Sequence, residues 1–150
     1  MNTEISAPAR KTWMSLLAQA DEGELSQLWL AFDRSPEFDW LRPPEAGGVM
    51  VRGRVGGSGA PFNLGEMTVT RCALTLTDGT VGHAYVQGRS KPKAEIAAKV
   101  DALMQTGAAD DLRQAVLEPL RQAQQSRKEA RAAKAAATKV EFFTMVRGED

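Results

Sequence analysis

The chain has one cysteine, Cys72, one histidine, His83, and no apolar run longer than five residues. A lone cysteine excludes an intrachain disulfide. With no Cys-x-x-Cys or His-x-x-x-His spacing, a structural zinc site lacks its ligands. The short apolar runs exclude a bilayer-spanning helix, which needs about 20 apolar residues. The opening residues, MNTEISAPAR, hold no apolar stretch for a secretory signal, so a reducing, cytoplasmic location is expected. An excess of one charge is also missing. Nineteen basic and nineteen acidic residues give a formal net charge of zero, which removes the whole-chain attraction that draws basic proteins to nucleic acid or membranes. Zero net charge gives little colloidal protection to a chain on its own, and suits a component of an assembly.

What is present fits a single α+β domain over residues 1–150. A chain of this length buries roughly 70% of its unfolded surface, so a core forms without metal or disulfide staples. Trp13, Leu16, Leu17 and Ala20 recur at helical spacing, with Pro8 acceptable in a first turn. After a break at Asp21–Gly23, Leu25, Leu28, Trp29 and Phe32 repeat the pattern, which predicts an antiparallel helical pair. Asp21, Glu22 and Glu24 sit at the second helix start, where capping explains them.

From residue 36 to 80 the punctuation becomes Pro43-Pro44, Gly47-Gly48, Gly53 and Gly56-Gly57-Ser58-Gly59 between Val-, Thr- and Met-rich runs, which reads as an antiparallel sheet. Asp78-Gly79 suits a two-residue turn in a central hairpin that pairs Thr77 with Thr80. That register places Cys72, Leu74 and Leu76 on one face with Val81, His83 and Tyr85. It leaves Ala73, Thr75, Gly82 and Ala84 as a second, small face that a helix can approach closely.

Ser90 and Pro92 suit the start of a covering helix that buries Ile96, Val100, Leu103 and Met104 and stops at Gly107. Another helix starts at Asp110 and Asp111, buries Leu112, Val116 and Leu120, and kinks at Pro119. Residues 121–139 carry Arg121, Arg127, Lys128, Arg131, Lys134 and Lys139 against Glu129, otherwise mostly Ala and Gln. Helix propensity there is high, but alanine buries too little surface to hold such a helix on its own core, so it is expected to project or pack on a partner. The β-prone end, Val140-Glu141-Phe142-Phe143-Thr144-Met145-Val146, reads as an extended tail, with Phe142, Phe143 and Met145 docking on a partner or forming an edge strand of the chain's own sheet.

No catalytic or metal-binding set emerges from these residues. His83 and Cys72, placed on one face, read as satisfied core residues rather than as a nucleophile and base. Arg52-Gly53-Arg54-Val55-Gly56-Gly57-Ser58-Gly59 offers guanidinium groups beside glycines whose amides can converge on an anion, but it lacks a P-loop ending and also reads as a long hairpin connection. Gln87-Gly88-Arg89-Ser90-Lys91 hands a strand over to a helix N-terminus, where an anion or simply a capped turn is expected. The basic helix has no interleaved aromatics for stacking on bases, so nucleic-acid binding is not expected.

Pieces across nearly the whole chain carry a family likeness: Arg10 with Trp13-Met14 and Leu17-Ala18, Arg54 with Gly56-Gly57-Ser58-Gly59, Thr70-Arg71, Leu76-Thr77-Asp78-Gly79-Thr80, Val86-Gln87-Gly88-Arg89, Asp101-Ala102-Leu103-Met104, and the terminal Val140-Glu141-Phe142-Phe143-Thr144-Met145-Val146-Arg147-Gly148. In that order they resemble the G subunit of the bacterial carbon-phosphorus lyase core complex, the PhnG family. Residues 36–47 and the Ala-rich helix match in character alone.

The resemblance implies an accessory subunit working with subunits H, I and J in organic phosphonate catabolism. The complex displaces adenine from ATP with an alkylphosphonate, giving α-D-ribose 1-methylphosphonate 5-triphosphate. The resemblance places an iron-sulfur cluster with S-adenosylmethionine in the J subunit and no cofactor in this chain, whose single cysteine cannot supply three thiolates. It singles out Arg54, Gly56, Gly57, Ser58, Gly59, Gln87, Gly88 and Arg89 as ligand- or partner-binding candidates. Two rivals remain: a transferase acting through Arg54 and Arg89, and a nucleic-acid-binding module using residues 121–139.

Overall fold

The computed structural model describes the backbone of residues 7–54 and 61–147 and the side chains of residues 9–50 and 65–140. Elements run in the order α1 (Ala7–Ala18), α2 (Glu22–Phe32), β1 (Phe38–Arg54), β2 (Pro61–Leu76), β3 (Val81–Gln87), α3 (Lys91–Leu103), α4 (Ala109–Leu112), a π-helical turn (Arg113–Leu117) and α5 (Glu118–Arg147). The expected α+β architecture is present. The start signals act as read: Asp21 accepts the Glu24 amide at 3.1 Å and Ser90 accepts the Lys93 amide at 3.2 Å, each satisfying an orphan N–H of a first turn.

The three strands form an antiparallel sheet in the order β1-β2-β3. β1 is an edge strand, which is how it carries Pro43 and Pro44: the register shifts around Arg42 and Glu45 absorb residues that cannot donate to a ladder. The expected two-residue turn is corrected to three residues. The Gly79 amide donates to Leu76 O at 3.0 Å and the Leu76 amide to Thr80 O at 2.8 Å, with Gly79 at φ 90°. This is a type I turn closed by a glycine bulge, a common three-residue hairpin.

One extra loop residue exchanges the faces of β3, because strand side chains alternate with a period of two. Ala84, not His83, lies opposite Cys72, and Gly82 opposite Leu74. The buried face therefore contains Cys72, Leu74, Leu76, Gly82, Ala84 and Val86, while His83 and Tyr85 face outward. The expectation of a core histidine beside Cys72 fails for that reason.

Helix α3 lies on this face. Its most buried residues are Ala94, Ala97, Ala98, Val100, Asp101 and Ala102, whereas Ile96 and Leu103 are half-buried. The small residues, not the large apolar ones, face the sheet because the approach is so close. A Cβ at Gly82 would stand 2.1 Å from Ala98 O and 2.8 Å from Ala102 Cβ. The close approach expected at Gly82 is thus present, on the face that also carries the leucines.

The two N-terminal helices dock on the rest of the fold, α1 on β3 and α3, and α2 on α3 and the π turn. Trp13 and Leu17 from α1, and Leu25 and Trp29 from α2, enter the shared core together with Leu112, Val116, Leu117 and Leu120. The irregularity expected at Pro119 appears as the π turn just before it. Pro119 has no N–H to donate back along an α ladder, and widening the preceding turn re-spaces the bonds without stopping the helix.

The backbone of residues 140–147 is helical within α5, so the expected extended tail is corrected. The run from Leu120 to Arg147 contains neither Gly nor Pro, and an established helix gains one bond for each residue it adds, which outweighs a modest β preference in Val140–Val146. Among the described residues, no helix is long and apolar enough to cross a membrane.

Candidate functional site

The sequence-selected positions fall into separate places. Arg54 pairs with Pro61 at the far end of the β1–β2 ribbon, and Gly56–Gly59 lie outside the described residues. β3 ends opposite Val69, so the ribbon runs on for eight residues beyond it. At about 3.3 Å per residue this puts the Arg54 backbone roughly 25 Å from Gln87. The Arg54 backbone and Gln87 are not brought together. Phe142, Phe143 and Met145 lie on the last turns of α5, with side chains outside those described.

The β3–α3 junction is a tightly bonded capped turn. The Gly88 amide donates to Thr68 O at 2.9 Å, Thr70 Oγ1 donates to Gly88 O at 2.7 Å, and the Ser90 amide donates to Thr70 Oγ1 at 3.2 Å. Ser90 Oγ donates in turn to Glu22 Oε1 at 2.7 Å. The Lys93 amide is therefore taken, and a carboxylate already sits near the positive end of α3. Arg89 is exposed beside this turn. Lys93 Nζ reaches back to Ala18 O at 3.1 Å. Burial lowers the Lys93 pKa, opposed by the nearby charges of Glu22 and Asp21.

Gln87, the last residue of β3, opens onto a polar cleft of about 630 Å³ between α1 and the first turns of α5. Arg121, Gln124, Gln125, Lys128 and Arg131 form its α5 wall; the offsets of three, four, seven and ten put them on one helical face. Gln19 and Leu16 of α1 close the other side. Gln124 Nε2 donates to Leu16 O at 2.9 Å and Arg127 Nη1 to Glu24 Oε1 at 2.6 Å, which fastens this part of α5 to the body.

A buried carboxylate, Asp101, to which the sequence assigned no role beyond the family likeness, organises the opposite end of α1. Asp101 has no exposed surface, yet accepts four hydrogen bonds. They come from Arg10 Nε at 3.1 Å, Arg10 Nη2 at 2.8 Å, Trp13 Nε1 at 2.8 Å and the His83 amide at 2.8 Å. One side chain thus holds α1, α3 and the outer edge of β3, and Gln105 covers the same edge by donating to Val81 O at 2.9 Å. The hydrogen bond to Asp101 raises the Arg10 pKa further, aided by the charge of Asp101 and opposed by desolvation. The available signal was an aspartate at helical spacing from Ala94, Ala97 and Ala98, on the small face of a buried helix.

Beside this node a mostly apolar groove of about 540 Å³ is lined by Arg10, Lys11, Met14, Ala18, His83 and Tyr85, with Ser15 at its rim. Cys72 lies on the other face of the sheet, where its Sγ donates to Ala94 O at 3.3 Å. Burial, with a smaller contribution from the charge of Glu95, pushes the Cys72 thiol up to about 12. Cys72 and His83 therefore cannot act as a nucleophile–base pair. Among the described residues no group of His, Cys, Asp and Glu side chains is arranged to hold a metal ion.

The chain matches the family model described as phosphonate metabolism protein PhnG over residues 8–148. It is also 48% identical over 141 residues, covering 94% of this chain and 90% of the relative, to the protein of Rhizobium meliloti (strain 1021) named alpha-D-ribose 1-methylphosphonate 5-triphosphate synthase subunit PhnG. The family match runs from α1 to the end of α5 and takes in Arg10, Trp13, Asp101 and the cleft beside Gln87, so the chain belongs to the PhnG family of phosphonate metabolism proteins.

Proposed function

We propose that this chain is an accessory subunit of a cytoplasmic complex of the carbon-phosphorus lyase type, working with subunits H, I and J. The observation that carries this reading is α5. Every residue from 125 to 140 is exposed, although α5 runs for 30 residues, about 45 Å at 1.5 Å per residue. Such a helix gains little from its own fold and gains much by packing on another chain. The β1–β2 ribbon beyond Val69 supports the same reading, because a two-stranded ribbon without a third strand is marginal in water. The relative's name, that of a synthase subunit, agrees with it.

The complex would displace adenine from ATP with an alkylphosphonate, and this chain would assist by shape and charge rather than by proton transfer or covalent catalysis. The iron-sulfur and S-adenosylmethionine chemistry of the later step falls to the J subunit, since the one thiol here is buried and bonded to Ala94 O.

The test is co-expression with the H, I and J subunits. The full chain co-purifies with them, and alone it releases no adenine from ATP and methylphosphonate. Turnover by the isolated chain, or failure to associate with any of the three, overturns the assignment.

A further inference from the structure

We infer that the polar cleft between α1 and α5 is a binding site for a small polyphosphate. Four cations, Arg121, Arg127, Lys128 and Arg131, line it together with the amides of Gln19, Gln87, Gln124 and Gln125. Two of the cations are already neutralised within the chain. Arg121 donates to both Glu118 oxygens and Arg127 donates to Glu24. Gln124 is held by Leu16 O, and Gln125 by Glu129 Oε1 at 3.0 Å.

That leaves Lys128 and Arg131 with no side-chain partner among the described residues, and with Gln19 and Gln87 across the cleft in the same condition. The unspent groups are therefore all hydrogen-bond donors carrying net positive charge, with two amide carbonyls for orientation. A chain whose overall charge is zero has concentrated cations on one wall of one concavity.

The shape and lining narrow the ligand class. About 630 Å³ is within the size range of small-molecule sites. No aromatic side chain lines the cleft, so it offers nothing for a base to stack on. A guanidinium fork and an ammonium group one helical turn apart suit adjacent phosphoryl groups. An acidic protein segment would also meet charge, but it would need apolar anchors for its remaining side chains, and Leu16 is the sole apolar residue of the lining. The inference rests on the accessory reading only for where such a ligand comes from: a nucleoside triphosphate or a ribose triphosphate would present the same tail.

The experiment is calorimetric titration of the full chain with inorganic tripolyphosphate, with orthophosphate and ATP as parallel arms, and with amide chemical shifts recorded for Gln19 and Gln87. Tripolyphosphate binds saturably, more tightly than orthophosphate, and shifts both amides. ATP matching tripolyphosphate assigns the contacts to the phosphate tail, and either of them alone binding saturably also upholds the site. The double change Lys128→Ala with Arg131→Ala weakens tripolyphosphate at least tenfold. A pair of equal charge outside the cleft, Arg113→Ala with Lys134→Ala, changes it less than threefold.

Equal weakening by both pairs, or saturable binding of neither tripolyphosphate nor ATP, overturns the inference. If the cleft pair abolishes association with the partner subunits while the unaltered chain binds no polyphosphate, the cleft is a protein interface; the inference fails and the accessory reading stands. Polyphosphate binding by a chain that associates with no partner sinks the accessory reading and leaves this one intact.

Discussion

Helices α3 and α5 are both rich in alanine, and the structure treats them in opposite ways. In α3, Ala94, Ala97, Ala98 and Ala102 are at most 2% exposed, whereas in α5 every alanine from Ala130 to Ala137 lies in solvent. The difference is the surface opposite. β3 supplies Gly82 and Ala84, a shallow strip against which an alanine face reaches van der Waals contact. Among the described residues, 125–140 of α5 are all exposed. In α3 the alanines mark where the chain's own sheet comes very close, whereas the exposed alanines of α5 are left for the proposed partner to cover.

The sharpest way to break this contrast is to remove the carboxylate that locks α3 in place. Asp101→Ala leaves the Trp13 and His83 N–H groups without an acceptor and Arg10 without its counter-ion. It should cost about 3–5 kcal/mol in chemical denaturation. Enlarging an alanine separates the two helices next. Ala98→Leu should destabilise the chain by about 1–3 kcal/mol, since there is no room beside Gly82. Ala133→Leu should change stability by under about 0.5 kcal/mol, because its site is open. Equal effects at the two positions would end the comparison.

A third measurement reads burial on the α3 side through pH. Burial pushes the folded Cys72 thiol up to about 12 from its ordinary 9.0, so the unfolded chain loses its proton first. The contribution is intact below pH 9. It falls by about 1.4 kcal/mol per pH unit from there towards pH 12. Denaturant midpoints measured across that range should fall more steeply for the natural chain than for Cys72→Ala. The smallest effect belongs to the far end of α5. Removing residues 128–150 should leave the thermal midpoint of the body within about 2 °C, because the last described fastenings of α5 to the body are Gln124 and Arg127. The same deletion should abolish co-purification with the partner subunits.

Much of this was legible in the sequence because it is local. Caps at Asp21 and Ser90, the burial of Leu112, Val116 and Leu120, and a turn at Asp78-Gly79 depend on residues within a few positions of one another, whereas α3 ends at Leu103, four residues before the expected stop at Gly107. The hairpin register escaped by one residue, since Asp-Gly serves two- and three-residue turns alike and the choice depends on which face of β3 meets α3. That slip misplaced His83, and with it the only cysteine–histidine proximity the sequence suggested. Of the residues that line the cleft, Gln87 is the one the sequence singled out, as a ligand- or partner-binding candidate. Its companions across the cleft, Gln19 and Arg131, were out of reach because α5 returns to α1 only after about a hundred intervening residues.

Composition and spacing by themselves determined the fold class, the helix starts at Asp21 and Ser90, the absence of a disulfide framework, and a basic alanine helix too poor in apolar surface to bury itself. Tertiary structure decided which alanines are covered, that Asp101 joins two helices to a strand edge, and that Arg54 stands a ribbon's length from Gln87. The reason is range. Caps and turns are set by neighbours along the chain, whereas the partner of a buried carboxylate or the far wall of a cleft is chosen only when distant segments pack, and every such choice depends on a register that one loop residue can reverse.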